Sequence, residues 1–329
     1  MGIRSTVFFG AYFLTWQFSV GALQAQSVVM GYSGTGVSGT LRRVIEKEKL
    51  WQKRGLDVKA IYFGSGGVMS QAMVAGDILL SDSDVPAQLS PKVAGIYGCK
   101  SDCGHDQSVG AFSCRPKRRQ DSGGLKGKRV AISRFGSASD ITTKLALRFL
   151  KLNPERDVMI LQTGNTPARI SALVAGHVDG ALVSPDQLHK VLASKCCRVL
   201  ADLAEIPLDY ARFGMVASLS VLRAQRETIR KLLEAYVEGI YIFKTRPEVP
   251  LAALRDEGIE EPQIAKGIHE RIAGSLREYP IPEPKGVQAA LDSIAIAKER
   301  HPQAKDYMDT TFIEEIKNSG YIDRLYGKR

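Results

Sequence analysis

Along residues 27–85 the apolar positions switch between short runs and helical spacing, and the switches fall at glycine- and serine-rich turns. Val28-Val29-Met30-Gly31-Tyr32 predicts a strand, with Ser33 to Gly39 as its polar exit. Leu41, Val44, Ile45 and Leu50 recur at helical spacing, Gly55 stops that helix, and Leu56 to Phe63 predicts the second strand. Gly64-Ser65-Gly66-Gly67 is a second polar turn. A helix through Met69, Ala72 and Met73 ends at Gly76, since glycine readily takes the left-handed conformation that closes a helix. Ile78-Leu79-Leu80 predicts a short third strand ending in Ser81-Asp82-Ser83-Asp84.

The same plan returns about 100 residues later. Arg129 to Ile132 predicts a strand, and Ser133 to Ser139 its polar exit. Ser137 is placed to cap the next helix, with Asp140 three residues on in a near capping box. That helix would bury Ile141, Leu145, Phe149 and Leu150. Val158 to Leu161 predicts the next strand, Thr166 reads as an N-cap with Pro167 first in its helix, and Gly176 ends it. Ala181-Leu182-Val183 then leads to Ser184-Pro185-Asp186. Both passages carry Val-Ala-Gly, at 74–76 and 174–176. Each is a βαβαβ unit, which requires right-handed crossovers and a largely parallel sheet, so two units imply two α/β lobes.

After Tyr210 the texture changes. Phe213 to Leu219 predicts a strand, and helices follow over Ile229–Phe243, Gln263–Leu276, Val287–Arg300 and Phe312–Ile316, separated by prolines 247, 250, 280, 282 and 284. These helices are expected to pack onto a lobe. At the other end, Arg4, the mostly apolar run Val7–Val20 and the small residues Gly21, Ala22 and Ala25 have the three-part layout of a secretory signal peptide over residues 1–26, cleaved after Ala22 or Ala25. The run is too short and too polar for a span of about 20 residues.

Composition narrows the classes. A chain of 329 residues with 44% apolar and 24% charged residues can form two ordinary cores. The net charge of +10 is spread along helices beside acids, and the dense basic run Arg115–Arg119 has no interleaved aromatics, so nucleic acid is not expected as a partner. Five cysteines do not make a disulfide scaffold in a chain this long, and the adjacent Cys196 and Cys197 are expected as small hydrophobes or stray thiols.

Ligands of open α/β sheets sit at the carboxyl ends of the strands. Here those ends carry short hydroxyl residues and glycines: Gly36 and Ser38, Gly64-Ser65-Gly66 and Ser81 to Ser83 in one unit, Ser137 and Ser139, Thr163-Gly164 and Ser184 in the other. Glycine admits close backbone approach, and helix N-termini present free N–H groups and partial positive charge, which favours an anionic head group such as sulfonate, carboxylate or phosphate. For any single serine, plain helix capping is an equally good account.

Enzymatic alternatives lack their parts. Gly34-x-Gly36-x-x-Gly39 opens a helix after a strand, but the second strand ends Tyr62-Phe63-Gly64-Ser65, without the acid that holds a dinucleotide ribose. Ser33 lacks the closing glycine of a nucleophile elbow, there is no Walker loop or His-Glu-x-x-His, and the five histidines form no close pair. No catalytic set and no cofactor is therefore expected. Cys99, Cys103, His105 and Cys114 match no standard zinc spacing, so no metal is expected either. They lie in the stretch from Ser90 to Gly124, which shows no apolar strand between Tyr97 and Leu125 although a two-lobed sheet needs a crossing strand there; two compensating frameshifts would account for it.

Glu48-Lys49-Leu50-Trp51-Gln52-Lys53-Arg54-Gly55-Leu56-Asp57-Val58 resembles the helix and Gly-Leu-Asp-Val strand of ABC-transporter periplasmic substrate-binding proteins, in the nitrate/sulfonate/taurine and thiamine-precursor-like group. Leu125-Lys126-Gly127-Lys128-Arg129-Val130-Ala131 resembles that group's opening of lobe two, and Gly136-Ser137, Asp157-Val158, Ala172 to Gly176 and Val178-Asp179 continue the likeness in order. It covers about residues 28–245, more weakly beyond, and departs at 90–124. The resemblance implies a two-lobed type II periplasmic-binding-protein-like fold with extra C-terminal helices, hinged closure on a small-molecule solute, a periplasmic monomer, and delivery to the membrane permease of an ABC importer. On that template lobe 1 is 27–112 plus 210–329 and lobe 2 is 113–209, with Ser38, Ser65, Ser83, Ser137, Ser139 and Ser184 as the foremost ligand contacts and Arg134 a weaker one. An exported thiamine-precursor-type enzyme or a ligand-sensing subunit would share the same fold.

Overall fold

A computed structural model of the chain describes residues 25–33, 37–89, 96–99, 111–114, 122–184, 187–195, 197–201, 213–292 and 302–328. The expected signal peptide falls outside these residues up to residue 24, and its last residue, Gln26, belongs instead to the first strand.

Among the described residues, two five-stranded mixed sheets organise the fold. The first is built from β1 (Gln26–Tyr32), β2 (Leu56–Tyr62), β3 (Leu80–Asp84), β4 (Ile96–Cys99) and β10 (Phe213–Ala217), in the order β2-β1-β3-β10-β4. The second takes β5 (Ala111–Cys114), β6 (Lys128–Ile132), β7 (Val158–Gln162), β8 (Gly180–Leu182) and β9 (Cys197–Val199), in the order β7-β6-β8-β5-β9. β1 runs parallel to β2 and β3, and β6 parallel to β7 and β8, as the repeated units require. The fourth and fifth positions break the parallel pattern: β10 is antiparallel to β3 and β4, and β5 to β8 and β9.

β4 and β5 correct the reading of residues 90–124. Both strands that the lobe-to-lobe passage needs lie in that stretch, so the premise of a frameshift, a missing strand, does not hold. Each is four residues long, interrupted by glycine or serine, and gains its hydrogen bonds from partners far away in sequence. β5 spans the expected division at 112–113 and lies wholly in the second sheet. β3 also differs from expectation. It starts at Leu80 and continues through the polar Ser81-Asp82-Ser83-Asp84, because β10 hydrogen-bonds alongside all five of its residues.

Helices α1 (Val37–Lys47), α2 (Gly66–Ala75) and α3 (Val85–Gln88) belong to the first unit, and α4 (Ala138–Phe149), α5 (Thr166–Val174) and α6 (Leu188–Ala193) to the second. Gly76 and Gly176 do take positive φ at the ends of α2 and α5, but α1 stops at Lys47 with Lys49 left-handed behind it, and Gly55 closes only the short 3-10 turn Gln52–Arg54. Asn165, not Thr166, caps α5: its side chain accepts from Ala168 N at 3.1 Å. The C-terminal half supplies α7 (Leu219–Ala224), α8 (Arg226–Thr245), α9 (Glu248–Asp256), α10 (Pro262–Ser275), α11 (Pro284–Asp292), α12 (Thr311–Asn318) and α13 (Tyr321–Tyr326). Leu232, Tyr236, Phe243, Ile268, Phe312 and Ile322 from these helices join Met30, Leu41, Trp51 and Leu56 in one buried cluster, so the helices complete the first lobe's core. A second cluster crosses between the units: Ile141 of α4 packs with Met69, Met73, Val85 and Leu89, and with Val287 and Leu291 of α11.

Gly239 lets α8 lie close on α1. A Cβ there would stand 2.6 Å from Ile45 Cγ1 and 3.1 Å from its Cδ1. Alanine in a helix interior would ordinarily gain up to about 1 kcal/mol over glycine, but overpacking a tight core costs roughly 1–3 kcal/mol. Gly239→Ala is expected to lower stability in urea unfolding; a gain would show that the α1–α8 contact yields freely.

Cys197 is disulfide-bonded, which corrects the expectation of a stray thiol.

Candidate functional site

The turn between β2 and α2 has the features of a ligand cradle. Gly64 and Gly67 keep ordinary φ angles, and a Cβ on either would meet nothing within 4 Å. Among the described residues nothing demands glycine at these positions, and the exposed backbone is open to close approach. Ser65 is buried and caps α2 only weakly, accepting from Val68 N at 3.5 Å. No acidic residue lies in the first turn of α2, so the positive end of the helix keeps its field. Beside it stands Gln88 of α3, fully buried, donating from Nε2 to Gly66 O at 2.9 Å while its Oε1 has no partner among the described residues.

The α4 turn is already occupied by its own chain. Ser137 Oγ donates to Arg134 O at 2.7 Å and accepts from Asp140 N at 3.3 Å. Ser133, Ser137 and Ser139 Oγ lie 2.7–2.9 Å from one another, and Ser139 Oγ accepts from Ser133 N at 2.8 Å. With one hydroxyl proton committed to Arg134 O, two remain for three oxygen–oxygen contacts, so the cluster has no spare donor. Asp140, buried in the first turn, accepts from Gly136 N at 2.8 Å and pairs with Lys144 at 3.0 Å. Its carboxylate takes up the field that an anion would use. The expected Ser137 cap is thus real, but the reciprocal bond of a capping box is not formed: Asp140 accepts from Gly136 N, and Ser137 N donates to Arg134 O at 3.2 Å.

Of the remaining expected contacts, Thr163 donates its hydroxyl to Leu161 O at 3.3 Å, and Gly164 needs its glycine for φ +100°. Ser184 Oγ, just past β8, is shielded from solvent and has no hydrogen-bond partner among the described residues. Arg134 is exposed. Gly36 lies outside the described residues. Ser38 and Ser83 have their backbone in α1 and β3, and their side chains lie outside what is described.

No family model and no curated protein matches the sequence. Solved structures do match. The alkanesulfonate-binding protein SsuA from Xanthomonas axonopodis pv. citri, bound to MOPS, is 14% identical with a TM-score of 0.71, covering 87% of this chain and 98% of that one. The periplasmic nitrate-binding protein NrtA from Synechocystis is 12% identical with a TM-score of 0.71 over 90% and 89%. The C27S mutant of DszB, in complex with biphenyl-2-sulfinic acid, is 11% identical with a TM-score of 0.63 over 90% and 99%. The chain has the periplasmic-binding-protein fold. The α/β two-sheet architecture inferred from the repeated units is therefore correct.

In this binding-protein fold the sequence reading missed three features of the strand ends. Gln88 is one. Arg169, buried in the first turn of α5, is another: it donates to Gly164 O at 2.9 Å, to Leu182 O at 3.2 Å and to Thr166 Oγ1 at 3.0 Å, tying the exits of β7 and β8 together. The third is Arg42 of α1, 6% exposed, whose guanidinium lies 4.0 Å from the centre of the Tyr32 ring while Tyr32 meets Tyr62 at 5.5 Å. Burial works to lower the Arg42 pKa, but Glu46 and Tyr32 outweigh it and hold the group above its ordinary value. A cavity of about 530 Å³ opens between α6 and α10, edged by His189, Glu261 and Arg271, and none of the expected contacts lines it.

Proposed function

We propose that this protein is the solute-binding component of an ABC importer, a periplasmic monomer that holds a small sulfonate- or carboxylate-like anion between its lobes and passes it to a membrane permease. The observation that carries the reading is the β2–α2 turn. There, glycines that neither conformation nor packing requires meet an acid-free helix N-terminus, beside a buried amide with an open acceptor. Such a cradle offers backbone N–H groups and positive field to an anionic head, and Gln88 Oε1 to a donor on its tail. Ser184 is the matching contact on the second lobe, since a shielded hydroxyl without a partner is costly until something pairs with it. A transport role, not a catalytic one, suits the serines at hand: Ser133, Ser137 and Ser139 bond to one another and to backbone, and none bonds to a histidine or carboxylate side chain among the described residues.

A thermal-shift screen of the secreted chain against alkanesulfonates, nitrate, small carboxylates and neutral pyrimidines tests this. An anion present at 100 times its Kd adds about 2.7 kcal/mol, a rise of roughly 4 °C for a chain of this size. No stabilisation by any anion, or stabilisation by neutral pyrimidines alone, would overturn the anion-cleft reading.

A further inference from the structure

We infer that the disulfide of Cys197 is made with Cys114 and locks the neck of the second lobe. Cys197 opens β9, the three-residue edge strand of the second sheet. Antiparallel register sets Cys114 of β5 directly opposite it as Cα partner. Opposed residues of an antiparallel pair have Cα atoms about 4.5 or 5.5 Å apart, and disulfides span roughly 4.4–6.8 Å. The neighbouring Cys196 fits less well, because consecutive Cα atoms lie about 3.8 Å apart. Cys99 pairs in register with Gly214 in the other sheet.

The position gives the bond its role. β5 is the second sheet's first strand in the chain and β9 its last, so the connections to the first sheet leave from just before one and just after the other. A bond between them closes residues 114–197, from the first strand of the second sheet to its last, into one covalent loop beside the two connections to the first sheet. A three-residue edge strand has few ladder bonds of its own to hold register, and the staple supplies that hold. Formation removes two protons and two electrons from the thiols and joins their sulfurs. A partner disulfide of a thiol oxidoreductase accepts both electrons and both protons to become a dithiol. Such an oxidant belongs to an exported, not a cytosolic, chain.

Mass spectrometry of the secreted chain, alkylated and digested without reductant, is the test. A linked pair of peptides carrying Cys114 and Cys197 is the expected result. Cys197 found alkylated, or linked to Cys99, Cys103 or Cys196, would overturn the inference. Thermal melts give a second readout. Reductant should lower the Tm of the wild type by roughly 3–7 °C; Cys114→Ser should melt at the reduced value and no longer respond to reductant, while Cys103→Ser should respond in full. A Cys114→Ser variant that still loses stability on reduction would place the bond elsewhere.

Discussion

Replacing Phe312 with alanine is expected to destabilise the protein by about 3–5 kcal/mol, the cost of emptying a large, fully enclosed aromatic site. Phe312 opens α12 with no exposed surface, within the cluster that also holds Met30, Leu56 and Met215 of the first sheet. Arg226 of α8 covers its ring at 4.4 Å and pairs with Glu315 one turn further along α12. The exposed ion pair itself adds little, so the loss reports packing. Chemical denaturation monitored by circular dichroism is the measurement. A loss below 1 kcal/mol, or a separate early transition, would show that α12 is an appendage; a single transition moved to lower denaturant would show that the segment from Thr311 onward helps to hold the floor of the first lobe.

How far the sequence led depends on whether the signal was local. Gly76 and Gly176 close α2 and α5 because a left-handed residue favours glycine whatever surrounds it, while α1 ends at Lys47 without a glycine, ahead of the stop expected at Gly55. Ser137 caps α4 for the same local reason. The failures share a cause as well. β3 runs on through Ser81 to Asp84, against its polarity, because β10, more than 120 residues later, hydrogen-bonds alongside it and Tyr236 donates to the buried Asp82 at 2.5 Å. β4 and β5 exist through partners in β10, β8 and β9, so no window of hydropathy could show them. Among site residues, the serines and glycines were visible as a type, but their roles were not. The sequence already sets Asp140 beside the Ser137 cap; the fold adds that Asp140 is buried against that helix end, while no acidic residue lies in the first turn of α2. Gln88 and Arg169 were invisible because a lone polar residue on a helix reads as a surface residue until its surroundings are known.

That contrast yields a variant whose two effects have opposite signs. Ser65→Asp puts a carboxylate at the N-cap of α2. Asp caps as well as Ser, and its charge favours the helix N-terminus by about 0.3–1 kcal/mol, so thermal stability should hold or rise by a few degrees. The same charge would stand within about 4–5 Å of an anion bound at the Gly64–Gly67 turn. Repulsion of that order at a partly shielded site is roughly 3–4 kcal/mol, and a weakening of at least about 100-fold in Kd is expected for the anion that stabilises the wild type most. Asp140 already plays this part at α4, which is why Asp140→Asn is expected to leave the Kd of the same anion within about threefold. Isothermal titration of both variants, each checked for a cooperative melt, decides the matter. If Ser65→Asp binds the anion as tightly as the wild type does, then Ser65 is only a cap, and the acid-free end of α2 has no share in recognition.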